Sequence, residues 1–340
     1  MTPLPSGNGQ DRVDLLVVGA GPIGLACAIE AERVGLTARV VEKGALVNSL
    51  IGYPTQMEFF STPELLEIGG HPLATTFYKP RREEALDYYR SVAQREGLDL
   101  RLGERVLGVE GEAGDFHVRT SRGVHHARAV VLATGFFDQP NRLGVEGESL
   151  PHVAHYYKEP YPYSGRRVVV VGAKNSAAKA ALEINRHGGH VTLVVRGEEI
   201  TTSVKYWIRP DLLNRIQEGA IAAHFNSTVE RIEPDTVHVR TPDGPLALRA
   251  DAVFALIGYH PDFGLLDAFG VETEGDERAP VVDPETMESN RPGIYLAGTV
   301  CGGYRTSRWF IENGRIHAAQ IAAHLAGRPV PALVAREQPG

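Results

Sequence analysis

The sequence predicts an α/β protein of two Rossmann-like, dinucleotide-binding domains, the second inserted into the first. Three observations carry that prediction. Two apolar strands each run into a glycine-rich turn, Asp14-Leu-Leu-Val-Val-Gly-Ala-Gly-Pro-Ile-Gly24 and Arg167-Val-Val-Val-Val-Gly-Ala-Lys-Asn-Ser-Ala177. A helix-length stretch and another apolar strand follow each turn, so the chain starts a βαβ unit twice. The tail from about Pro284 holds a strand, a glycine loop and one helix, too little for a third domain, and so returns to complete the first.

The elements follow in order. The first unit opens with a strand at Leu15 to Val18, the turn, a helix from about Ile23 to Val34, Gly35 as its stop and a strand at Ala38 to Glu42. An irregular stretch marked by Pro54, Pro63, Gly69, Gly70, Pro72 and Pro80 leads to a helix from about Arg82 to Glu96. Short strands then end in Ala129-Val-Val-Leu-Ala-Thr-Gly135. The segment Phe136 to Gly165, rich in Pro, Gly, Tyr and His, reads as the crossing between domains. The second unit has a strand at Arg167 to Val171, a helix from about Ser176 to Arg186, the Gly188-Gly189 stop and a strand at Val191 to Val195, and runs through Ala252-Val-Phe-Ala-Leu-Ile-Gly258. In the tail, Gly293-Ile-Tyr-Leu-Ala-Gly298 is a strand, Gly302-Gly303 a loop, and Ser307 to Leu325 a long helix. These readings place the first domain at 1–158 and 285–340, and the inserted one at 159–284.

Composition narrows the partners. A chain of 340 residues with net charge -7 and no Lys/Arg-rich block carries neither a nucleic-acid footprint nor a polybasic membrane footprint. Small-molecule or protein partners fit better. The start, Met1-Thr-Pro-Leu-Pro-Ser-Gly-Asn-Gly-Gln10, is polar, lacks the basic and apolar regions of a signal peptide, and is expected to be an irregular tail. Leu15 to Ile29 is apolar, but three glycines and Pro22 divide it into strand, turn and helix, so no membrane span is expected. Cys27 and Cys301 are the only cysteines, which excludes a disulfide scaffold, a Cys-x-x-Cys pair and a zinc cluster, and suits a reducing cytoplasm.

The two turns differ in chemistry. In the first, Gly19 permits the tight turn, Gly21 removes a side chain where a pyrophosphate approaches, and Gly24 allows close helix-strand packing, with Pro22 and Ile23 opening the helix. Glu42, followed by Lys43, ends the next strand, where a carboxylate accepts from ribose hydroxyls. In the second, Gly172 and Ala177 hold the outer positions, Lys174 replaces the middle glycine, and Asn175 and Ser176 open the helix. Arg196 stands where Glu42 stands in the first. A guanidinium there binds a 2'-phosphate that a carboxylate would repel, so NADP is expected over NAD. Arg196 can also be read as a solvated surface charge. Ala133-Thr134-Gly135 and Gly258 end the closing strands of their units, where the chain passes close to a cofactor or simply turns.

Other residues are open. Cys27 reads as a buried, inert thiol; Cys301, just before Gly302-Gly303 and the last helix, is a candidate redox residue if a helix N-terminus lowers its pKa. His152, His155, Tyr156 and Tyr157 lie in the crossing and offer either a proton donor or linker polarity. Tyr304, Arg305 and Arg308 offer an anion site or solvated charge.

The whole chain resembles the low-molecular-weight thioredoxin reductases in layout, an FAD domain interrupted by an NADPH domain, but without their Cys-x-x-Cys. It is more similar to the YpdA-like group of bacillithiol disulfide reductases. The resemblance rests on Glu58-Phe-Phe-Ser-Thr-Pro-Glu-Leu-Leu-Glu-Ile-Gly-Gly70, Lys79-Pro-Arg-Arg-Glu-Glu-Ala-Leu-Asp-Tyr-Tyr-Arg90, Val171-Gly-Ala-Lys-Asn-Ser-Ala-Ala178, Lys205-Tyr-Trp-Ile-Arg-Pro-Asp211 and Phe310-Ile-Glu-Asn-Gly-Arg-Ile-His317. It implies FAD and NADPH as cofactors, a low-molecular-weight disulfide as substrate, and a homodimer or homotetramer. Two positions depart from the family: Ile23 fills the place of a cysteine that many members carry in the first turn, and Thr299 follows Gly298 where related reductases have an aspartate on the ribityl chain. A hydroxyl can still bond a ribityl oxygen. The same double layout leaves open a ferredoxin-NADP reductase, a flavin monooxygenase or a non-catalytic flavin sensor; His155-Tyr156 vaguely matches the monooxygenase signature, whose Phe-x-Gly start is absent.

Overall fold

The computed structural model describes residues 12–331. The segment Met1–Gln10 lies outside the described residues. The fold is the α/β class that the two glycine turns predict, and it falls into two compact units, residues 12–51, 58–139 and 259–331 in one and 52–57 and 140–258 in the other.

The first unit begins with β1 (Arg12–Val18), the helix Pro22–Arg33 and β2 (Ala38–Glu42). All five residues of β2 are buried, and so are the last four of β1. Such continuously buried runs mark parallel strands covered on both faces. β1 pairs parallel with β2, Leu15 opposite Ala38 and Val18 opposite Val41. The helix Arg82–Glu96 then leads to β3 (Asp99–Leu102), parallel to β2. Tyr89 is fully buried on that helix, its hydroxyl donating to the Leu66 carbonyl at 2.8 Å. An antiparallel meander follows, β4 (Val106–Glu112), β5 (Asp115–Thr120) and β6 (Val124–Leu132), whose last strand lies parallel to β1.

The second unit contains β7 (Val153–Ala154), β8 (Arg167–Val171), the helix Asn175–Arg186, β9 (His190–Val194) and β10 (Ala222–His224). A meander β11 (Thr228–Ile232), β12 (Thr236–Thr241) and β13 (Gly244–Arg249) precedes β14 (Ala252–Ala255). The parallel sheet has the order β10-β9-β8-β14-β7. Because successive side chains alternate faces, β8 feeds two cores. Val168 and Val170 pack with Ala177, Ala181 and Ile184 of the helix, whereas Val169 and Val171 pack with Val229, Val237 and Val239 of the meander.

The chain then re-enters the first unit with the hairpin β15 (Thr273–Glu274) and β16 (Ala279–Pro280), and with β17 (Ile294–Leu296), parallel to β6. The unit transitions at 139/140 and 258/259 lie upstream of the sequence-based 158/159 and 284/285. Residues 140–158 carry β7, which pairs with β14, and so side with the second unit; residues 259–284 carry the helix Phe263–Ala268 and the β15-β16 hairpin of the first. The expected long terminal helix is two pieces, Ile311–Gly314 and Ile316–Leu325. Among the described residues, no helix is long and apolar enough to cross a membrane and no side-chain cluster could hold a metal ion.

Candidate cofactor sites

The first glycine turn is built as its residue types require. Gly19 has φ +108°, and a Cβ there would lie 2.7 Å from the Ala133 carbonyl oxygen. A Cβ at Gly24 would lie 1.9 Å from the Gly19 carbonyl oxygen, which only glycine avoids. Gly21 is different: a Cβ there meets nothing within 4 Å. Its neighbourhood is open space at the N-terminus of the helix Pro22–Arg33, whose first turn has no side-chain cap. Unsatisfied amides facing an open volume suit a phosphate group.

Glu42 closes the other side of this turn. Its buried carboxylate accepts the Ala20 amide on Oε2 at 2.9 Å and the Gly44 amide on Oε1 at 2.7 Å. Each oxygen keeps a lone pair for a ligand hydroxyl. Gly19, Glu42, Lys43, Thr134 and Gly135 line one cleft of about 530 Å³ including its open mouth. The structure thus brings residues from three strand ends together. Ala133, whose amide donates to the Val18 carbonyl at 2.9 Å, backs the same turn. Thr299 Oγ1 lies 3.4 Å from where a Gly135 Cβ would sit, because β17 runs beside β6. Ile23 packs its side chain 3.0–3.2 Å from the Cβ position of Gly298, so the family's cysteine place is here filled by hydrocarbon.

The cleft also holds residues that sequence reading missed. Asp138 pairs with Lys43 at 2.8 Å and lines the cleft with Glu104, Arg105 and His260. Glu104 accepts from His125 Nε2 at 2.7 Å and from the Thr120 hydroxyl at 2.5 Å. No motif carries these four; they converge through sheet pairing and the return of the chain after residue 258. Lys43 beside an acid was the one local signal for a cation needing a partner.

In the second unit, Gly172 has φ +136°, and a Cβ there would lie 2.4 Å from the Leu256 carbonyl oxygen and 3.1 Å from the Ala177 Cβ. This repeats the Gly19 geometry. Lys174 caps the helix Asn175–Arg186 without a side-chain bond and is exposed, as is Ser176. Asn175 Oδ1 accepts the Lys205 amide at 2.9 Å, tying the loop after β9 to the helix start. Gly258 accepts the Asn141 amide at 3.0 Å. Arg196, two residues past β9, is exposed and has no hydrogen bond or ion pair among the described residues. The second turn therefore presents cations where the first presents a buried carboxylate.

Comparison with known proteins agrees with this doubled arrangement. The profile of the family described as pyridine nucleotide-disulphide oxidoreductase matches residues 16–298. The Bacilliredoxin reductase Bdr of Bacillus subtilis (strain 168) is 41% identical over 315 residues, 92% of this chain and 97% of that protein. Two solved structures named Bacillithiol Disulfide Reductase Bdr (YpdA) superpose closely. The Bacillus cereus protein has a TM-score of 0.90 at 40% identity, covering 94% of this chain and all of the other. The Staphylococcus aureus protein has a TM-score of 0.89 at 38% identity, covering 94% of this chain and 99% of the other. The chain belongs to the Bdr (YpdA) group of pyridine nucleotide-disulphide oxidoreductases. Flavin and nicotinamide-nucleotide use come with that family.

In this Bdr-type chain the remaining candidates stand in several different environments. Cys301 is not at a helix N-terminus. It lies inside the short 3-10 turn Gly298–Gly302, ten residues before the helix that starts at Ile311. Burial pushes its thiol up to about 12, against the lowering influence of Arg308, the opposite of the lowering that a helix N-terminus would give. Cys27 is buried as expected, its thiol raised by the same loss of water. His155 is buried and accepts from Arg142 Nη1 at 2.8 Å. Burial and that guanidinium lower its pKa, which disfavours an imidazolium proton donor. Tyr157 is buried, its phenol raised by desolvation and then by Glu183. His152 and Tyr156 are half-buried in the same stretch, while Tyr304, Arg305 and Arg308 are exposed.

Proposed function

We propose that the chain is an FAD-dependent reductase that uses NADPH to cleave a low-molecular-weight disulfide of the bacillithiol type. The observation that carries this reading is the opposed charge of two otherwise matching turns, Glu42 buried at one and Arg196 exposed at the other. The names of the similar proteins, Bacilliredoxin reductase and Bacillithiol Disulfide Reductase, supply the substrate class. The oligomer proposed with it is a homodimer or homotetramer, and the proposed location is the cytoplasm.

The residues divide the work. Gly19, Gly21, Pro22, Ile23 and Gly24 would receive the FAD pyrophosphate at the helix N-terminus, Glu42 its ribose hydroxyls, and Thr299 with Ala133, Thr134, Gly135 and Gly298 the rest of the chain-facing edge. Gly172, Lys174, Asn175, Ser176, Ala177 and Gly258 would hold NADPH, with Arg196 on its 2'-phosphate. When bound, flavin and nicotinamide supply hydride and electron transfer, and the protein orients and tunes them. The net reaction takes NADPH, one proton and one disulfide to NADP⁺ and two thiols, with two electrons entering the S–S bond as it breaks.

Steady-state NADPH oxidation against bacillithiol disulfide, other small disulfides, ferredoxin and oxygen tests this reading. Fast turnover with the small disulfide alone is expected; turnover with ferredoxin or oxygen alone would replace it by the ferredoxin reductase or monooxygenase reading. Cys301→Ser should keep disulfide turnover within about twofold, since a buried thiol far above pH 7 is almost wholly un-ionised. A loss beyond about tenfold would return the thiol to the electron path.

A further inference from the structure

The cleft of the first unit is crossed by an ion pair. Three of its strand ends stand in the order β2-β1-β6, β1 pairing parallel with β2 on one side and with β6 on the other. Gly19 and its turn leave the middle strand. Lys43 follows directly on Glu42, the last residue of β2, and Asp138 stands past Leu132, the last of β6. Yet Lys43 Nζ lies 2.8 Å from Asp138 Oδ2. Strands two places apart in a sheet are about 10 Å apart, so the pair spans the end of β1 and the glycine turn that leaves it. Both residues line the cleft together with Gly19, Glu42, Thr134 and Gly135.

The two side chains are placed to part and rejoin. Lys43 is 28% exposed and Asp138 25%, so water reaches the pair and its opening uncovers no core. Lysine carries its charge on a flexible four-carbon stem. The backbone on either side is held instead. Gly44, next to Lys43, donates its amide to Glu42 Oε1 at 2.7 Å. On the other wall the Gln139 carbonyl accepts the His260 amide at 2.9 Å, and the Phe137 ring lies 4.8 Å from that of Tyr259. Fixed walls with a movable bridge make a clasp. Glu42, the acceptor for ribose hydroxyls, adjoins one arm of it, so a nucleotide held there lies beside the bridge.

We propose that the Lys43–Asp138 ion pair is a clasp on the flavin nucleotide, parting to admit or release FAD and joining again across the cleft. The inference rests on the assignment of the first glycine turn to FAD in the proposed function. The pair joins in the free and the loaded protein alike. It therefore slows entry and release together and leaves the affinity, set by Glu42 and the turn, nearly unchanged.

The test uses the purified holoprotein with FAD, compared as wild type, Asp138→Asn and Lys43→Met. Release is followed after dilution by the rise of free-flavin fluorescence, and affinity by the flavin retained against added FAD; the two together give the entry rate. Each variant is expected to release FAD about fivefold faster, the upper range for an ion pair that water reaches, with affinity within about twofold and entry quickened as well. One variant removes a negative charge and the other a positive one, so simple steering of the anionic FAD would move entry in opposite directions and overturn the inference. Added salt should quicken release from the wild type and leave both variants unchanged, because only the wild type has the pair to screen. Wild-type release from Asp138→Asn would overturn the clasp, and this variant decides alone should Lys43→Met not fold. A wild-type protein that takes up no FAD would instead overturn the flavin assignment itself, and the inference with it.

Discussion

Gly24→Ala is expected to yield protein that purifies without flavin and unfolds at least about 3 kcal/mol more readily than wild type, the upper range for overpacking a closed site. The added methyl would lie 1.9 Å from the Gly19 carbonyl oxygen and 3.4 Å from Val17 Cγ1. Backbone is the obstacle, so no rotamer change relieves it. The helix Pro22–Arg33 must move off β1, and the turn that holds Gly21 moves with it. Gly21→Ala is the control, because its methyl enters open space and its φ of -74° suits alanine. Its stability should fall by only about 0.5–1 kcal/mol, the cost of alanine at an N-cap that glycine fills better. Flavin binding should nevertheless weaken sharply. Thermal unfolding and the flavin-to-protein absorbance ratio of both variants separate packing from ligand room. Wild-type stability in Gly24→Ala would refute the packing role; full flavin in Gly21→Ala would refute the pyrophosphate position.

That contrast also shows what a sequence can disclose. The turns were legible because parallel strands covered on both faces need apolar runs, and Leu15 to Val18 in β1 and Val168 to Val171 in β8 are such runs. Glu42 and Arg196 were legible because βαβ geometry fixes the place of the second strand's end. Cys301 was not, since its nearness to Gly302-Gly303 says nothing of the walls that exclude water from it. Asp138, Glu104 and His260 reach the cleft from separate stretches, and no local pattern records such convergence. Unit boundaries escaped for a similar reason, because β7 joins β14 across about a hundred residues, a pairing of two residues that no periodicity marks.

Arg196→Ala carries the second large effect, a change in coenzyme choice. NADPH and NADH share every group except the 2'-phosphate, so a residue that touches only this group must alter one and spare the other. Arg196 is exposed and has no carboxylate partner among the described residues, which leaves its guanidinium ready for a dianion. A charge-assisted hydrogen bond contributes about 1.5–3 kcal/mol, so kcat/KM for NADPH should fall roughly 10- to 100-fold. The value for NADH should stay within about twofold. Lys174, exposed at the helix N-cap, faces chemistry common to both coenzymes, and Lys174→Ala should weaken the two alike. Raising the salt concentration should weaken wild-type NADPH binding more than that of Arg196→Ala, because an exposed ion pair is screened. Parallel losses for both coenzymes in Arg196→Ala would instead place this side chain on the shared pyrophosphate, and no loss for either would leave it a solvated surface charge.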